Sequence, residues 1–233
     1  MPERFAIYFT PDLTSPLWRL AGQWLGRDAA SDETMEARVA GVETAQRLAA
    51  TASARRYGFH ATLKAPMALA DGATRSALEA ALADWAAAQA PVNMGPIVLR
   101  PIGAFLALVP DVQSAALTRF AADCVVAFER FRAPLAAKDR SRRVDGELSA
   151  HQIELLDRYG YPYVMDEFRL HMTVSDQLYG AEHDLVRRAG QNWFAPVIGE
   201  ELLLDRLTLF HEAESGAAFR RVADFPLSGT QKG

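Results

Sequence analysis

Two of the five histidines in this chain are each followed, two residues on, by a threonine and then an aliphatic residue: His60-Ala61-Thr62-Leu63 and His171-Met172-Thr173-Val174. Imidazole titrates near neutral pH, so one ring can take a proton while another gives one in the same turnover. Two imidazoles and two hydroxyls around one small anion suit the opening of a cyclic phosphodiester. Water must lose a proton, and the leaving alkoxide must gain one. Thr62 and Thr173 can donate to the non-bridging oxygens, where charge builds in the transition state. One such motif is a weak signal, because a strand histidine beside a threonine usually serves structure. Two copies in matching surroundings are far more specific. The copies are so alike that they do not say which histidine is the base and which the acid.

The elements that carry them alternate with period two, the signature of a strand with one buried face. Gly58, His60, Thr62 and Lys64 share one face of the first, and Phe59, Ala61, Leu63 and Ala65 the other. In the second, Arg169, His171, Thr173 and Ser175 oppose Phe168, Leu170, Met172 and Val174. Each histidine and its threonine then lie about 7 Å apart along the strand. Lys64, Arg169 and Ser175 share the polar faces and can add charge-assisted contacts. Tyr57 and Tyr163 flank the motifs and can stack on, or hydrogen-bond, a sugar or base. His151, His183 and His211 read as structural or exposed, and Cys124 as a core residue in an apolar helical pattern.

The rest of the chain frames these two strands. Phe5 to Phe9 reads as a strand, Leu13 to Leu25 as a helix and Ser31 to Ala52 as a second helix. The first motif strand covers Gly58 to Lys64. After the Asp71-Gly72 turn, Ala73 to Ala90 is a helix with Leu78, Leu82 and Trp85 on one face. Strands at Ile97–Leu99 and Ala104–Val109 pair around Pro101-Ile102-Gly103, and Asp111 to Arg132 is a long helix. Ala136 to Glu147, with Lys138, Arg140, Arg142, Arg143, Asp139 and Asp145, reads as a solvated connector. Leu148 to Arg158 is a helix, and Gly160-Tyr161-Pro162-Tyr163 a turn. The second motif strand runs from Glu167 to Ser175, and a helix from Ala181 to Trp193. Glu201–Phe210 and Ala218–Phe225 are the last strands, with a frayed tail from Ser228. After each motif the order repeats: loop, helix ending in tryptophan (Trp85, Trp193), proline break (Pro91, Pro196), strand pair. The expected fold is α+β, with two pseudo-symmetric lobes of antiparallel sheet and flanking helices around a central cleft. The lobes fall near 1–135 and 136–228, with strands free to exchange, and the two motifs face each other across the cleft.

Half of the 233 residues are hydrophobic and the net charge is −4, so the chain reads as globular, without a global pull toward nucleic acid. One cysteine forms no internal disulfide, which suits a reducing compartment. No apolar run is long enough to span a membrane, and no signal peptide is visible, so a cytoplasmic location and no membrane partner are expected. The sequence shows no metal-binding spacing of His, Asp or Cys, and no glycine-rich phosphate loop. No cofactor is expected, and a monomer is the default.

The paired motifs resemble those of the 2H phosphoesterase superfamily, and the resemblance spans the chain from Phe5 to about Phe225. More narrowly, Arg56-Tyr57-Gly58-Phe59-His60-Ala61-Thr62-Leu63-Lys64, Gly160-Tyr161-Pro162-Tyr163 and Phe168-Arg169-Leu170-His171-Met172-Thr173 resemble a bacterial branch of uncharacterised proteins often encoded beside phosphonate-utilisation genes. Two positions depart from that branch: Ala65 stands where a proline is usual, and Val174-Ser175 where Leu-Thr is usual. The resemblance implies a metal-independent phosphodiesterase acting on a small phosphorylated substrate. That substrate is a ribose cyclic phosphate from phosphonate breakdown or, generically, a nucleoside 2′,3′-cyclic phosphate. The alternatives are an RNA-end binding or processing module, with the Lys138–Arg143 stretch as its basic patch, and a non-catalytic phosphoester sensor.

Overall fold

The structure, a computed structural model, describes residues 3–144 and 148–230, without the side chain of Arg142. Asp145 and Glu147 of the expected connector lie outside the described residues. In chain order the elements are β1 (Arg4–Phe9), α1 (Pro16–Leu25), α2 (Thr44–Ala49), α3 (Ala52–Tyr57), β2 (Ala61–Met67), α4 (Arg75–Ala87), β3 (Val92–Ile102), β4 (Phe105–Pro110), α5 (Ala115–Ala127), α6 (Ala137–Val144), α7 (Ala150–Tyr159), β5 (Met172–Thr173), α8 (Gly180–Trp193), β6 (Glu201–Leu204), β7 (Arg206–Glu212) and β8 (Arg220–Pro226). The α+β class is as expected.

The strands form one sheet in the order β6-β3-β4-β5-β2-β1-β7-β8, with antiparallel neighbours throughout. The two motif strands, β2 and β5, are its central pair. On one side of them lie β1, β7 and β8; on the other lie β4, β3 and β6. Each half-sheet mixes strands from both ends of the chain. A single residue, Asp205, joins β6 at one edge of the sheet to β7 near the other edge. Leu204 and Arg206 are therefore no more than about 7 Å apart, and the sheet must curl until its ends meet.

Helix starts follow from side-chain caps. Ser15, Thr74, Ser114 and Ser149 each accept a hydrogen bond from a backbone N–H of the first turn, and Gln152 completes a capping box with Ser149. Phe5 to Phe9 are all buried, as are Leu78 and Leu82 on the inner face of α4. Trp85 packs edge-on against Phe120 and Phe128 of the α5 region. Trp193 donates to the Leu20 carbonyl at 2.9 Å, so the two repeated tryptophans each tie a helix end to the core. Trp24 donates to the Val174 carbonyl at 2.7 Å, fixing α1 against the second motif.

Four local expectations change. The single helix over Ser31–Ala52 is instead an irregular loop followed by α2 and α3. Arg47, 1% exposed, donates to the Ala37 carbonyl, which a continuous helix would bond internally, and to the Gln23 and Trp24 carbonyls at the end of α1, tying the loop to that helix. The second motif strand shrinks to Met172–Thr173 because the Gln113 amide accepts from Leu170 N–H at 2.7 Å and donates to the Phe168 carbonyl at 2.9 Å, replacing strand partners. The run from Glu201 is broken by Asp205 into β6 and β7. The tail is docked at Gly229, whose N–H donates to the Gln89 carbonyl at 2.9 Å.

Candidate active site, a two-histidine cleft

The first motif departs from the glycine that precedes it. Gly58 has φ +78°, and a Cβ there would meet the Ala29 Cβ at 2.5 Å, so the position requires glycine. Its carbonyl accepts from His60 Nδ1 at 2.9 Å. The second motif repeats the device: His171 Nδ1 lies 2.8 Å from the Arg169 carbonyl. A carbonyl only accepts, so Nδ1 carries the proton in both rings. Each Nε2 is left to face the cleft's chemistry.

Register assembles the group. Ala61 pairs with Met172 across β2 and β5, and both are fully buried on the far side of the sheet. One residue further on each side, His60 falls beside Thr173 and Thr62 beside His171. The four side chains form a two-by-two array, with cross-strand neighbours about 5 Å apart, same-strand neighbours about 7 Å apart and the two histidines diagonal at about 8 Å. The motifs therefore stand side by side on adjacent strands, rather than facing each other across a gap. All four residues line one cleft of about 740 Å³. Neither threonine hydroxyl has a hydrogen-bond partner among the described residues.

Tyr8 supplies the wall. It pairs with Thr62 in the β1–β2 register and stacks on the His60 ring at 3.7 Å between centroids. Burial lowers the His60 pKa to about 4; the Gly58 carbonyl works against that shift, and His171 adds a small push in the same direction. His60 is thus neutral at physiological pH and ready to accept a proton. Asp176 links the two motifs at the wall of the cleft. Its carboxylate accepts from Ser53 and Ala54 N–H at the start of α3, and its own N–H donates to the Ala50 carbonyl. Because α3 leads into Gly58, the end of one motif holds the entry to the other.

The remaining site expectations divide. Tyr57 and Tyr163 line the cleft. Lys64 does not. A bulge sets Thr62 opposite Tyr8 but Lys64 opposite Ile7, so the extra residue in β2 turns Lys64 to the far face. There its side chain is 3% exposed, and the ammonium reaches Glu129 at 2.7 Å and the Val125 carbonyl at 3.1 Å. Ala65 lines the cleft in its place. Ser175 borders the cleft but is fully buried, its hydroxyl accepting from Leu106 N–H and donating to the Asp176 carbonyl. Arg169 is exposed and not among the lining residues; its carbonyl, not its guanidinium, serves His171. Sequence reasoning missed Tyr8, Arg4 and Tyr161, which all line the cleft. The alternation of β1 marked Tyr8 only as a strand residue, and no local signal tied it to His60.

Outside the cleft, burial pushes the Cys124 thiol up to about 12, so it is no nucleophile. His151 pairs with Asp166, and His211 with Glu3. Among the described residues no three His, Cys, Asp or Glu gather as a metal site, and no helix is long and apolar enough to cross a membrane.

Comparison with known proteins gives a family. The model of a family described as "Protein of unknown function (DUF1045)" matches residues 62–220. A protein named ribose 1,5-bisphosphate phosphokinase PhnN from Janthinobacterium sp. (strain Marseille) is 37% identical over 231 residues, covering 97% of this chain and 51% of that protein. One of the same name from Laribacter hongkongensis (strain HLHK9) is 35% identical over 226 residues, covering 93% of this chain and 50% of that protein. The chain thus spans about half the length of these curated relatives. A solved structure described as "Crystal structure of phosphoesterase" aligns over 97% of this chain and 99% of its own, with a TM-score of 0.41 and 13% identity.

Proposed function

The chain belongs to the DUF1045 family, and from that premise we propose that it is a metal-independent phosphodiesterase that opens a cyclic phosphate by two-histidine acid–base catalysis. The observation that carries this reading is the array itself: two imidazoles with Nδ1 held by a carbonyl, and two threonine hydroxyls without a partner among the described residues, on one face of adjacent strands in one cleft. His60, kept neutral by burial, takes a proton from the attacking water. The water oxygen bonds to phosphorus as the ring P–O bond breaks. His171 Nε2 donates the proton that the departing alkoxide needs. Thr62 and Thr173 hydroxyls donate to the non-bridging oxygens. A separation of about 8 Å between the histidines leaves room for one phosphate between them.

The curated relatives carry a kinase name, whereas this chain has no glycine-rich phosphate loop. We place the kinase activity in the half of those relatives that this chain does not match, and read this half as handling a related ribose phosphate. An RNA-end role ranks below it. Most of the basic stretch folds as α6, and its Arg140 is spent in a two-pronged pair with Asp157.

The test is turnover of ribose 1,2-cyclic phosphate and nucleoside 2′,3′-cyclic phosphates in excess EDTA. Wild-type protein should turn over at least one of them. His60→Ala and His171→Ala should each lower kcat/KM by about a hundredfold or more while leaving the circular dichroism spectrum intact. Turnover abolished by EDTA, or undiminished in either variant, would end the two-histidine reading.

A further inference from the structure

The cleft is symmetric at its centre and lopsided around it. On the His60 side it is lined by Arg4, Tyr8, Tyr57, Tyr161 and Tyr163. Arg4 spends its Nε on Glu212, a fully buried carboxylate. That carboxylate also takes Arg56 at 2.7 Å and the Gly216 N–H at 3.1 Å. Two arginines therefore share one carboxylate, and a positive charge is left over. The terminal Nη1 and Nη2 groups of Arg4 have no hydrogen-bond partner among the described residues. The hydroxyls of Tyr8, Tyr57, Tyr161 and Tyr163 have none either, although the Tyr8 side chain is only 1% exposed.

These groups are close together. Arg4, Tyr8 and Tyr57 all pack around the Phe219 ring, and Tyr161 meets Tyr163 edge-on at 5.5 Å between centroids. Burial raises the Tyr8 phenol well above its ordinary value. Burial holds Tyr161 at about 12. Both Tyr8 and Tyr161 are therefore protonated at neutral pH and offer donors. The cluster is fixed in place: Tyr8 by its stack on His60, and Tyr57 by its stack on Phe219 at 5.1 Å. A guanidinium with two free Nη groups beside a ring of phenols, none of them hydrogen-bonded among the described residues, is an arrangement of donors awaiting an acceptor-rich anion. Beside His171 the lining is instead Phe105, Ser175, Asp176 and Gln177.

The geometry points to a second anion subsite, in which Arg4, Tyr8, Tyr57 and Tyr161 bind a phosphate monoester carried on the same molecule as the cyclic phosphate. This rests on the phosphodiesterase reading and narrows it: the substrate is a cyclic phosphate bearing a second phosphate, held on the His60 side.

Two compound pairs test the subsite: ribose 1,2-cyclic phosphate with and without a 5-phosphate, and adenosine 2′,3′-cyclic phosphate with and without a 5′-phosphate. Wild-type kcat/KM should favour the phosphorylated member of at least one pair by more than about tenfold, the worth of one or two charge-assisted hydrogen bonds. In Arg4→Gln, and in a Tyr57→Phe/Tyr161→Phe double variant, that ratio should fall close to one. A wild-type ratio near one in both pairs, or a ratio that survives in both variants, overturns the subsite. The phenylalanine variant keeps the ring packing, so the outcome does not depend on Arg4→Gln folding well. Calorimetric binding of the same pairs to His171→Ala reads the subsite without turnover. Tighter binding of the phosphorylated member, lost on adding the phenylalanine substitutions, supports it; equal affinities overturn it. If no compound is hydrolysed but this binding difference stands, the phosphodiesterase reading alone falls.

Discussion

His60 and His171 hold the same hydrogen bond to a carbonyl two residues back, yet their surroundings differ, and in the proposed mechanism that difference makes His60 the base. His60 is stacked under Tyr8, and burial depresses its pKa to about 4 against an ordinary value near 6.5. A base must be unprotonated, so activity should persist as pH falls below 6.5 and be lost only as it falls through about 4. A kcat/KM profile from pH 3.5 to 9 checks this, and an acidic limb near 6.5 would remove His60 as the buried base. Tyr8→Ala lets water back to the ring, so the limb should move to higher pH. Linkage has the same sign: the unfolded chain takes up a proton below about 6.5 that folded His60 refuses until about 4, so stability falls across that window as pH drops. The paired His and Thr side chains were legible in the sequence because spacing and strand parity are local properties. The asymmetry between the histidines was not, because its source is a ring on β1, remote in sequence.

Lys64 shows what alternation cannot see. Counting by twos from His60 puts it on the face that lines the cleft, and the bulge opposite Ile7 and Tyr8 moves it to the other. Its ammonium then depends on Glu129, which Arg132 also holds at 2.5 Å. Lys64 has a depressed pKa, mainly through burial, with Glu129 opposing the shift. Removing Glu129 should leave a buried cation unpaired. Glu129→Ala is therefore expected to cost about 3 kcal/mol in urea unfolding. Lys64→Met should keep kcat/KM on the best cyclic phosphate within about threefold, because a side chain on the far face makes no contact with substrate. A hundredfold loss in Lys64→Met, with stability intact, would return the lysine to the site. Elsewhere the elements with strong local signals were legible: α1, α4, α7 and α8 lie close to their expected positions, each with a Ser, Thr or periodic apolar pattern at hand. The segments that differ are those where one distant side chain takes over backbone bonding, Arg47 for the loop before α2 and Gln113 for the approach to β5.

At the scale of the molecule, the order of strands decides what can fold alone. The sheet is arranged evenly about β2 and β5, as a duplicated unit would be, but the duplication is not partitioned along the chain. The half around β2 needs β7 and β8 from the far end, and the half around β5 needs β3 and β4 from the near one. A cut at residue 135, close to the boundary between the sequence repeats, leaves β1 without β7 and separates β2 from β5, so both central strands lose a partner. It also strips Trp24 of the Val174 carbonyl and Asp176 of the α3 N–H groups. Edges exposed in this way are unpaired and apolar, Phe5 to Phe9 above all. Fragments 1–135 and 136–233, expressed apart, should show no cooperative thermal transition and should aggregate or bind a hydrophobic dye. Co-expressed, they should regain a single transition, because the Asp205 connection between β6 and β7 that closes the curled sheet lies within the second fragment and is not cut. A cooperative transition in either fragment alone would mean that one sequence repeat closes its own core. The cleft would then be a contact between two finished units rather than the seam of one interlocked sheet.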